Sequence, residues 1–232
     1  MWKTCASGAR NFKRRWANSV RVGIFSDCHG NLSALQAVWA ALEAEELAGG
    51  LVLNAGDNVG YGPDPEGCVR FLRERPNIVG VKGNYDKNVA LFPERETEYR
   101  KKWGKTRPEK FAAIQRDSAA ISKESHRWLS ALPAEEMLTL ESTPVLMTHY
   151  SPGSKVGIGS WTSDADIAEM AQNTHARVVV CGHTHTDFAR DIGGILWVNP
   201  GSLGRSWDHR LRYAVLTLTT GLPPSAALKI VK

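Results

Sequence analysis

The stretch VRVGIFSDCHGN, residues 20–31, holds the pattern that decides the fold. Residues 20–25 are mainly apolar and rich in β-branched side chains, which predicts a buried strand. The polar turn SDCHGN follows, and apolar residues then recur at helical spacing between Asn31, a suitable N-cap, and Gly49. A strand, a polar turn and a helix in succession indicate an α/β fold.

The same alternation continues along the chain, with each polar cluster placed after a predicted strand. Further strands are predicted at residues 51–53, 77–81, 144–147, 177–180, 195–198 and 213–218. The polar clusters are AGDNVGYGPDP (55–65), KGNYD (82–86), THYSPG (148–153) and CGHTHT (181–186). Because ligands collect outside the carboxyl ends of strands in α/β sheets, these clusters are expected to meet in one place.

The charge distribution divides the chain into a basic extension at residues 1–18 and one domain at residues 19–232. There are 29 Lys and Arg against 24 Asp and Glu, but five of the basic residues and none of the acidic ones precede residue 20. The rest of the chain is therefore formally neutral. We expect the extension to be solvated, with contact to nucleic acid or a membrane surface as the alternatives. Residues 87–132 are charged and partly helical, which indicates an insertion or a cap.

The composition argues against a membrane-spanning or secreted protein, and against a fold stabilised by zinc or disulfides. No run of about 18 apolar residues exists, and the first 18 residues lack the apolar block of a secretory signal, so a cytoplasmic protein is predicted. The four cysteines include no CxxC pair, which argues against a structural zinc site or a disulfide framework.

The strand-end clusters offer a set of metal ligands. A single histidine in such a loop is usually structural, but four of the seven histidines lie in these clusters, beside glycine, aspartate or hydroxyl residues. Carboxylate, amide and imidazole ligands without thiolate suit Mn²⁺, Fe, Zn²⁺ or Ni²⁺ at a hydrolytic centre.

The order of these motifs, D-x-H, GD with GYGPDP, GN-x-D, a single histidine and GHTH, resembles the calcineurin-like metallophosphoesterases, particularly their small bacterial and archaeal members. The similarity runs from about residue 20 to residue 218. It implies two mixed β-sheets in a sandwich flanked by helices. It also implies two metal sites, one formed by Asp27, His29, Asp57 and His185 and the other by Asp57, Asn84, His149 and His183.

The resemblance implies hydrolysis of a phosphodiester or an activated phosphomonoester, on a small nucleotide-type substrate. Asp57 would bridge two cations about 3.5 to 4 Å apart, and a hydroxide shared by both would attack phosphorus in line. Manganese or iron is expected, with Zn, Ni or Mg as alternatives. The residues assigned to catalysis are Asp57, Asn84, His149 and Tyr85. The stretch NPGSLGR offers Asn199, Ser202 and Arg205 as substrate contacts, although PGS is also a common turn.

Tyr85 departs from the family pattern. Many members have a histidine at this place, near the leaving group. A phenol has an ordinary pKa of about 10 and no positive charge, so that role is altered here. We therefore expect substrates whose leaving group needs little protonation.

Three other functions are compatible with parts of the sequence. A protein serine/threonine phosphatase is disfavoured because the chain is shorter than those catalytic domains and lacks the histidine at position 85. A non-catalytic scaffold, like the retromer subunit of this fold, would be expected to lose ligands, whereas all seven positions keep usable residues. A nuclease has direct support only from the basic extension. The sequence predicts no oligomeric state.

Overall fold

The structure, a computed structural model, describes residues 19–231. The predicted basic extension therefore lies outside the described residues. Within this range the strands are β1 (Ser19–Phe25), β2 (Val52–Asn54), β3 (Ile78–Gly80), β4 (Glu135–Leu140), β5 (Thr143–Thr148), β6 (Val178–Val180), β7 (Phe188–Ile192), β8 (Ile195–Asn199), β9 (Arg212–Thr219) and β10 (Ser225–Ile230). The helices are α1 (Leu32–Ala44), α2 (Pro65–Arg73), α3 (Asn84–Ala90), α4 (Phe92–Trp103), α5 (Pro108–Ala120), α6 (Lys123–Ala131) and α7 (Asp164–Met170).

The strands form two five-stranded sheets. The first has the order β10-β9-β1-β2-β3 and the second the order β4-β5-β6-β8-β7. In each sheet three strands run parallel, β1, β2 and β3 in one and β5, β6 and β8 in the other, while the remaining strands pair antiparallel. Both sheets are therefore mixed, as predicted.

The sheets face each other across an apolar core. Val22 and Ile24 of the first sheet pack in one buried cluster with Val145 and Val178 of the second. Separate clusters join the first sheet to α1 and α2, and the second to α7. This arrangement confirms the predicted sandwich flanked by helices, and it holds the carboxyl ends of the parallel strands in fixed positions.

Side chains cap the first two helices, α1 at the predicted residue Asn31. Asn31 accepts a hydrogen bond from the backbone N–H of Ala34 at 3.1 Å, so it caps α1. Asp64 caps α2 by accepting from Gly67 at 2.7 Å. These caps satisfy amide donors that the first helical turn leaves unpaired, and they fix where the preceding polar loops end.

Residues 87–132 lie in four consecutive helices, α3 to α6, with a core of their own. Phe92, Trp103, Phe111 and Leu129 belong to this core, which also includes Tyr85. The first of these helices, α3, begins at Asn84 itself, so the helical segment is continuous with this predicted ligand.

Within residues 19–231, no helix is both long enough and apolar enough to cross a lipid bilayer.

Candidate metal centre

The seven ligand residues that the family resemblance implies follow parallel strands of both sheets, six of them in loops and Asn84 at the first position of α3. The strands and the residues after them are β1 (Asp27, His29), β2 (Asp57), β3 (Asn84), β5 (His149) and β6 (His183, His185). Because β1, β2 and β3 run parallel, their loops leave from the same edge of the sheet. The same holds for β5 and β6 of the facing sheet.

The first group of potential ligands is Asp27, His29 and His185, whose ligand atoms lie within 4.8 Å of one another. The Nε2 atoms of the two histidines are 2.9 Å apart. Asp27 Oδ1 lies 3.3 Å from His185 Nε2 and 3.7 Å from His29 Nε2. Three ligand atoms thus surround one point.

The second group is Asp57, His149 and His183, again within 4.8 Å. Asp57 Oδ2 lies 3.4 Å from His149 Nε2 and 3.9 Å from His29 Nε2 of the first group. Asp57 therefore stands between the two groups. Asn84 lines the same cleft as Asp57, and its amide oxygen accepts a hydrogen bond from the Tyr150 hydroxyl at 3.1 Å.

Backbone carbonyl groups orient three of the imidazole rings. The Nδ1 atom of His29 faces the oxygen of Val59 at 3.3 Å, and that of His149 faces the oxygen of Ala55 at 2.8 Å. The Nδ1 atom of His185 similarly faces a carbonyl oxygen at 3.2 Å. A proton held on Nδ1 leaves Nε2 free as a metal ligand, which is the usual arrangement around metals.

The backbone at the site is strained. Five of the seven predicted ligand residues have positive φ angles between 50° and 71°, a region that residues with a Cβ seldom occupy: Asp27, His29, Asp57, His183 and His185. Each residue held in this conformation lowers the stability of the folded state by about 1–3 kcal/mol, and strain of this kind clusters at functional sites.

Two glycines leave room for the ligand carboxylates. A Cβ atom at Gly83 would collide with the carboxylate and the backbone of Asp57. A Cβ atom at Gly182 would lie 2.8 Å from Asp27 Oδ2. Any side chain at these positions would push the loops apart, so the glycines permit the close approach of the two groups.

Two buried ligand atoms find no hydrogen-bond partner among residues 19–231. They are Asp27 Oδ1 and His149 Nε2, one in each group. The other carboxylate oxygen of Asp27 is satisfied by the Ser26 hydroxyl and the N–H of His183. Leaving a buried polar atom unpaired costs about 1–3 kcal/mol, which a coordinated cation would offset. The donor set therefore fits divalent metal ions.

The electrostatics suit cation binding. Burial raises the pKa of Asp57, but the nearby positive charge of His149 outweighs this effect and lowers the pKa below its usual value. Burial lowers the pKa of His29 to about 4, so its ring is neutral and can donate a lone pair. Burial opposes the charge of His149, yet Asp57 raises its pKa to about 9. A metal ion at His149 would therefore displace a proton.

A model of the calcineurin-like phosphoesterase superfamily domain matches residues 20–221, most of the chain. The chain belongs to this superfamily. An uncharacterised protein of Methanocaldococcus jannaschii is 26% identical over 202 residues, covering 87% of this chain and 76% of that protein.

Two solved structures resemble this phosphoesterase in fold. A hypothetical protein of Pyrococcus horikoshii has a TM-score of 0.79 at 17% identity, covering 91% of this chain and 88% of its own. A metallophosphoesterase of Sphaerobacter thermophilus has a TM-score of 0.69 at 23% identity, covering 93% of this chain and 89% of that chain. Membership of the superfamily indicates a hydrolase that acts on phosphate esters with divalent metal ions.

Asp86 has a structural role in the site that the sequence did not predict. Its carboxylate accepts hydrogen bonds from the N–H groups of Asn58 and Gly83, at 2.7 and 2.9 Å, and from the Asn58 side chain at 3.1 Å. Asn58 follows Asp57, and Gly83 precedes Asn84. Asp86 therefore ties together the loops that carry two of the proposed ligands. Its position in the GN-x-D motif is the sequence feature that could have indicated this role.

Asp86→Ala should weaken Mn²⁺ binding by about 10- to 100-fold, because outer residues that orient metal ligands contribute about this much. It should also lower the free energy of unfolding by about 2–4 kcal/mol, since buried amides lose their acceptor. Mn²⁺ titration and urea unfolding measure the two effects. Asp164→Ala, at a carboxylate that is 72% exposed, is the control. Equal Mn²⁺ affinity in Asp86→Ala and wild type would contradict this role.

The three predicted substrate contacts differ in placement. Asn199 is fully buried, and its side-chain amide donates to the oxygen of Gly182 at 2.8 Å. Ser202 is also fully buried, and its hydroxyl donates to the backbone oxygen of Asp27 at 2.9 Å. This geometry favours a positioning role for both over direct contact with substrate. Arg205 is exposed and lines the cleft.

Tyr85 lies at the boundary between the metal centre and the helical segment. Its ring packs edge-on against His29 with centroids 5.2 Å apart, and its hydroxyl bonds to the Tyr61 hydroxyl at 2.5 Å. Burial, aided by the bond to Tyr61, raises the pKa of Tyr85. The phenol therefore stays protonated and uncharged at neutral pH.

The helical segment forms one wall of the cleft and also holds the loop that carries Tyr61. Asp117 of α5 is buried and accepts a hydrogen bond from the N–H of Gly60 at 2.6 Å. Its neighbour Arg116 donates to the oxygen of Gly62 at 3.0 Å. Residues of α4 and α5 line the cleft together with Asp57 and Asn84. The segment thus lies on the side of the proposed metal centre.

Proposed function

We propose that this protein is a binuclear metal-dependent phosphodiesterase that hydrolyses a small nucleotide-type ester. The observation that carries the proposal is the pair of buried ligand groups, with Asp57 Oδ2 within 3.9 Å of a histidine nitrogen in each. Manganese or iron is the proposed metal, because carboxylate, amide and imidazole ligands suit these ions.

Two divalent cations bound here would lower the pKa of a water between them and offset charge on the phosphoryl oxygens. The chain itself supplies the positioning. Asp57 would share its carboxylate between the two groups. Tyr150 orients the amide oxygen of Asn84, and the backbone carbonyl of Ala55 orients the ring of His149. No side-chain nucleophile is needed for attack by water.

A non-catalytic scaffold is the second candidate, and the strained backbone argues against it. Five left-handed residues at about 1–3 kcal/mol each are a large cost for a surface that only binds a partner. The unpaired atoms of Asp27 and His149 add to that cost. A nuclease would use the same groups, but its separate support comes from residues 1–18, outside the described part.

The proposal is tested by turnover of bis-p-nitrophenyl phosphate with Mn²⁺ supplied after metal removal. Release of nitrophenolate that needs Mn²⁺, and that stops when EDTA is added, would support it. Full metal occupancy without turnover on this diester, on nucleotides or on phosphomonoesters would favour the scaffold.

Tyr85→His should increase turnover of substrates with poor leaving groups more than that of activated ones. An alkoxide gains from a proton donor by about 10²- to 10⁴-fold, whereas nitrophenolate leaves readily without one. We would compare kcat/KM on an alkyl phosphate and on bis-p-nitrophenyl phosphate at equal metal occupancy. Equal changes on both would mean that proton donation does not limit the rate. A loss confined to the alkyl ester would mean that Tyr85 already donates the proton.

A further inference from the structure

The cleft above the metal centre has an excess of positive charge. Its volume is about 970 Å³, and eight lysines and arginines line it against four acidic residues. The chain beyond residue 18 carries equal numbers of basic and acidic residues, so this excess is local. A charged cleft of this kind raises the local concentration of ligands of opposite sign, here anions.

Lys110 of α5 holds a defined position in this wall. Its Nζ atom lies 4.9 Å from the ring centroid of Tyr85 and 4.7 Å from that of Trp103. The ammonium therefore rests between two aromatic faces, where cation–π attraction holds it. Trp103 is buried, so one side of this arrangement is rigid.

The ammonium of Lys110 is close to the metal centre. The Tyr85 ring centroid also lies 5.2 Å from that of His29, so the ammonium is at most about 10 Å from the His29 ring. Lys110 can therefore reach a group attached to a phosphate at the metal centre.

Arg205 makes a matching contact with the other tyrosine of the pair. Its Cζ atom lies 3.7 Å from the ring centroid of Tyr61, whose hydroxyl bonds to that of Tyr85. Among residues 19–231, neither Lys110 nor Arg205 forms an ion pair with a carboxylate. Other arginines of the chain do so, such as Arg190 with Asp164 at 2.8 Å. Two cations held on aromatic rings beside the centre thus keep their charge available for an anion.

We propose that Lys110 and Arg205 form a subsite for a second anionic group of the substrate, which makes nucleoside polyphosphates the preferred substrate class. This rests on the function proposed above. Water would attack the α-phosphorus, the bond from that phosphorus to the bridging oxygen would break, and pyrophosphate would leave with the electron pair. The products are the nucleoside monophosphate and pyrophosphate, and one proton passes to solvent.

The phenol side chain at position 85 and the size of the cleft agree with this class. Pyrophosphate is a good leaving group that needs no proton donor, so a phenol in place of a cationic imidazole is no obstacle. The cleft volume lies at the upper end of the range for small-molecule sites, about 300–1,000 Å³, which favours a nucleotide over a long strand.

The test compares two substrates that share the adenylyl group, ATP and the p-nitrophenyl ester of AMP, with free Mn²⁺ held constant. Lys110→Met should lower kcat/KM on ATP by about 10- to 100-fold, the usual effect of losing a charged hydrogen bond. The loss on the nitrophenyl ester should be at least about tenfold smaller, and Lys110→Arg should retain most of the ATP activity. Lys101→Met, at an exposed residue of α4 outside the cleft, should leave both rates unchanged.

The possible outcomes separate the subsite from the function on which it rests. Equal losses on both substrates in Lys110→Met would overturn the subsite. So would a loss on ATP in Lys110→Arg as large as the loss in Lys110→Met. Hydrolysis of the nitrophenyl ester but not of ATP by wild type would also overturn it. If wild type with two bound metals hydrolysed neither substrate, the phosphodiesterase function would fail and the subsite with it. Thermal unfolding of each variant shows that the protein is folded.

Discussion

Asp57→Asn is expected to lower kcat/KM on a phosphodiester by at least about 10³-fold while the protein stays folded. Loss of a single electrostatic stabiliser at a reaction centre costs about 10² to 10³ in rate, and the proposed role of Asp57 involves both ligand groups. Its Oδ2 atom lies 3.4 Å from His149 Nε2 and 3.9 Å from His29 Nε2. Asparagine keeps the volume and can still accept from the N–H of Tyr85, but it has no negative charge to share between two cations.

Asp64→Asn is the matched control for this substitution. It makes the same chemical change at the cap of α2, where asparagine caps as well as aspartate does. Its activity should therefore equal that of wild type. Wild-type turnover by Asp57→Asn at saturating Mn²⁺ would show that the shared carboxylate is not needed, and the binuclear proposal would be wrong.

Removal of the metal should lower the unfolding temperature by about 10 °C. An ion at 1,000 times its Kd stabilises the folded state by about 4 kcal/mol, and each kcal/mol shifts the midpoint of a domain of this size by about 2–4 °C. Two buried carboxylates and the unpaired Nε2 atom of His149 give the cations a preformed site that the unfolded chain lacks. Calorimetry with EDTA, and again after Mn²⁺ is restored, measures the shift.

Asp57→Asn should lose most of this metal-dependent shift, whereas Asp64→Asn should keep it. An unfolding temperature that is the same with EDTA and with Mn²⁺ would mean that the ligand groups do not bind the ion in the folded protein.

The strand-end loops of the site could be predicted from the sequence because local chemistry determines them. Each ligand follows an apolar, β-branched run, and helix caps such as Asn31 and Asp64 mark where the loops stop. The parallel pairing of those runs then brings the loops to one edge. The family resemblance supplied the seven ligand positions, each after a predicted strand, and the structure brings six of them into two groups.

Three strands were missed, and all three lie at sheet edges: β4, β7 and β10. Edge strands face solvent on one side and need no apolar run. The side chains of β4 alternate between exposed and half-buried, and those of β10 are mostly exposed. Their pairing depends on neighbouring strands rather than on their own composition.

The contacts made by the helical segment also could not be predicted. Asp117 bonds to Gly60 across 57 residues of chain, and Lys110 meets Tyr85 only because α5 packs on α3. No periodicity encodes such pairs. The positive φ angles of Asp27 and Asp57 are likewise imposed by the loops that meet around them.

Anomalous diffraction at the manganese edge, from crystals grown with Mn²⁺, tests the shared site most directly. Two peaks about 3.5 to 4 Å apart are expected, with the carboxylate of Asp57 coordinating both. One peak should lie beside Asp27, His29 and His185, and the other beside Asn84, His149 and His183. A single peak at full Mn²⁺ occupancy, or two peaks with Asp57 bound to neither or to only one, would contradict the binuclear centre.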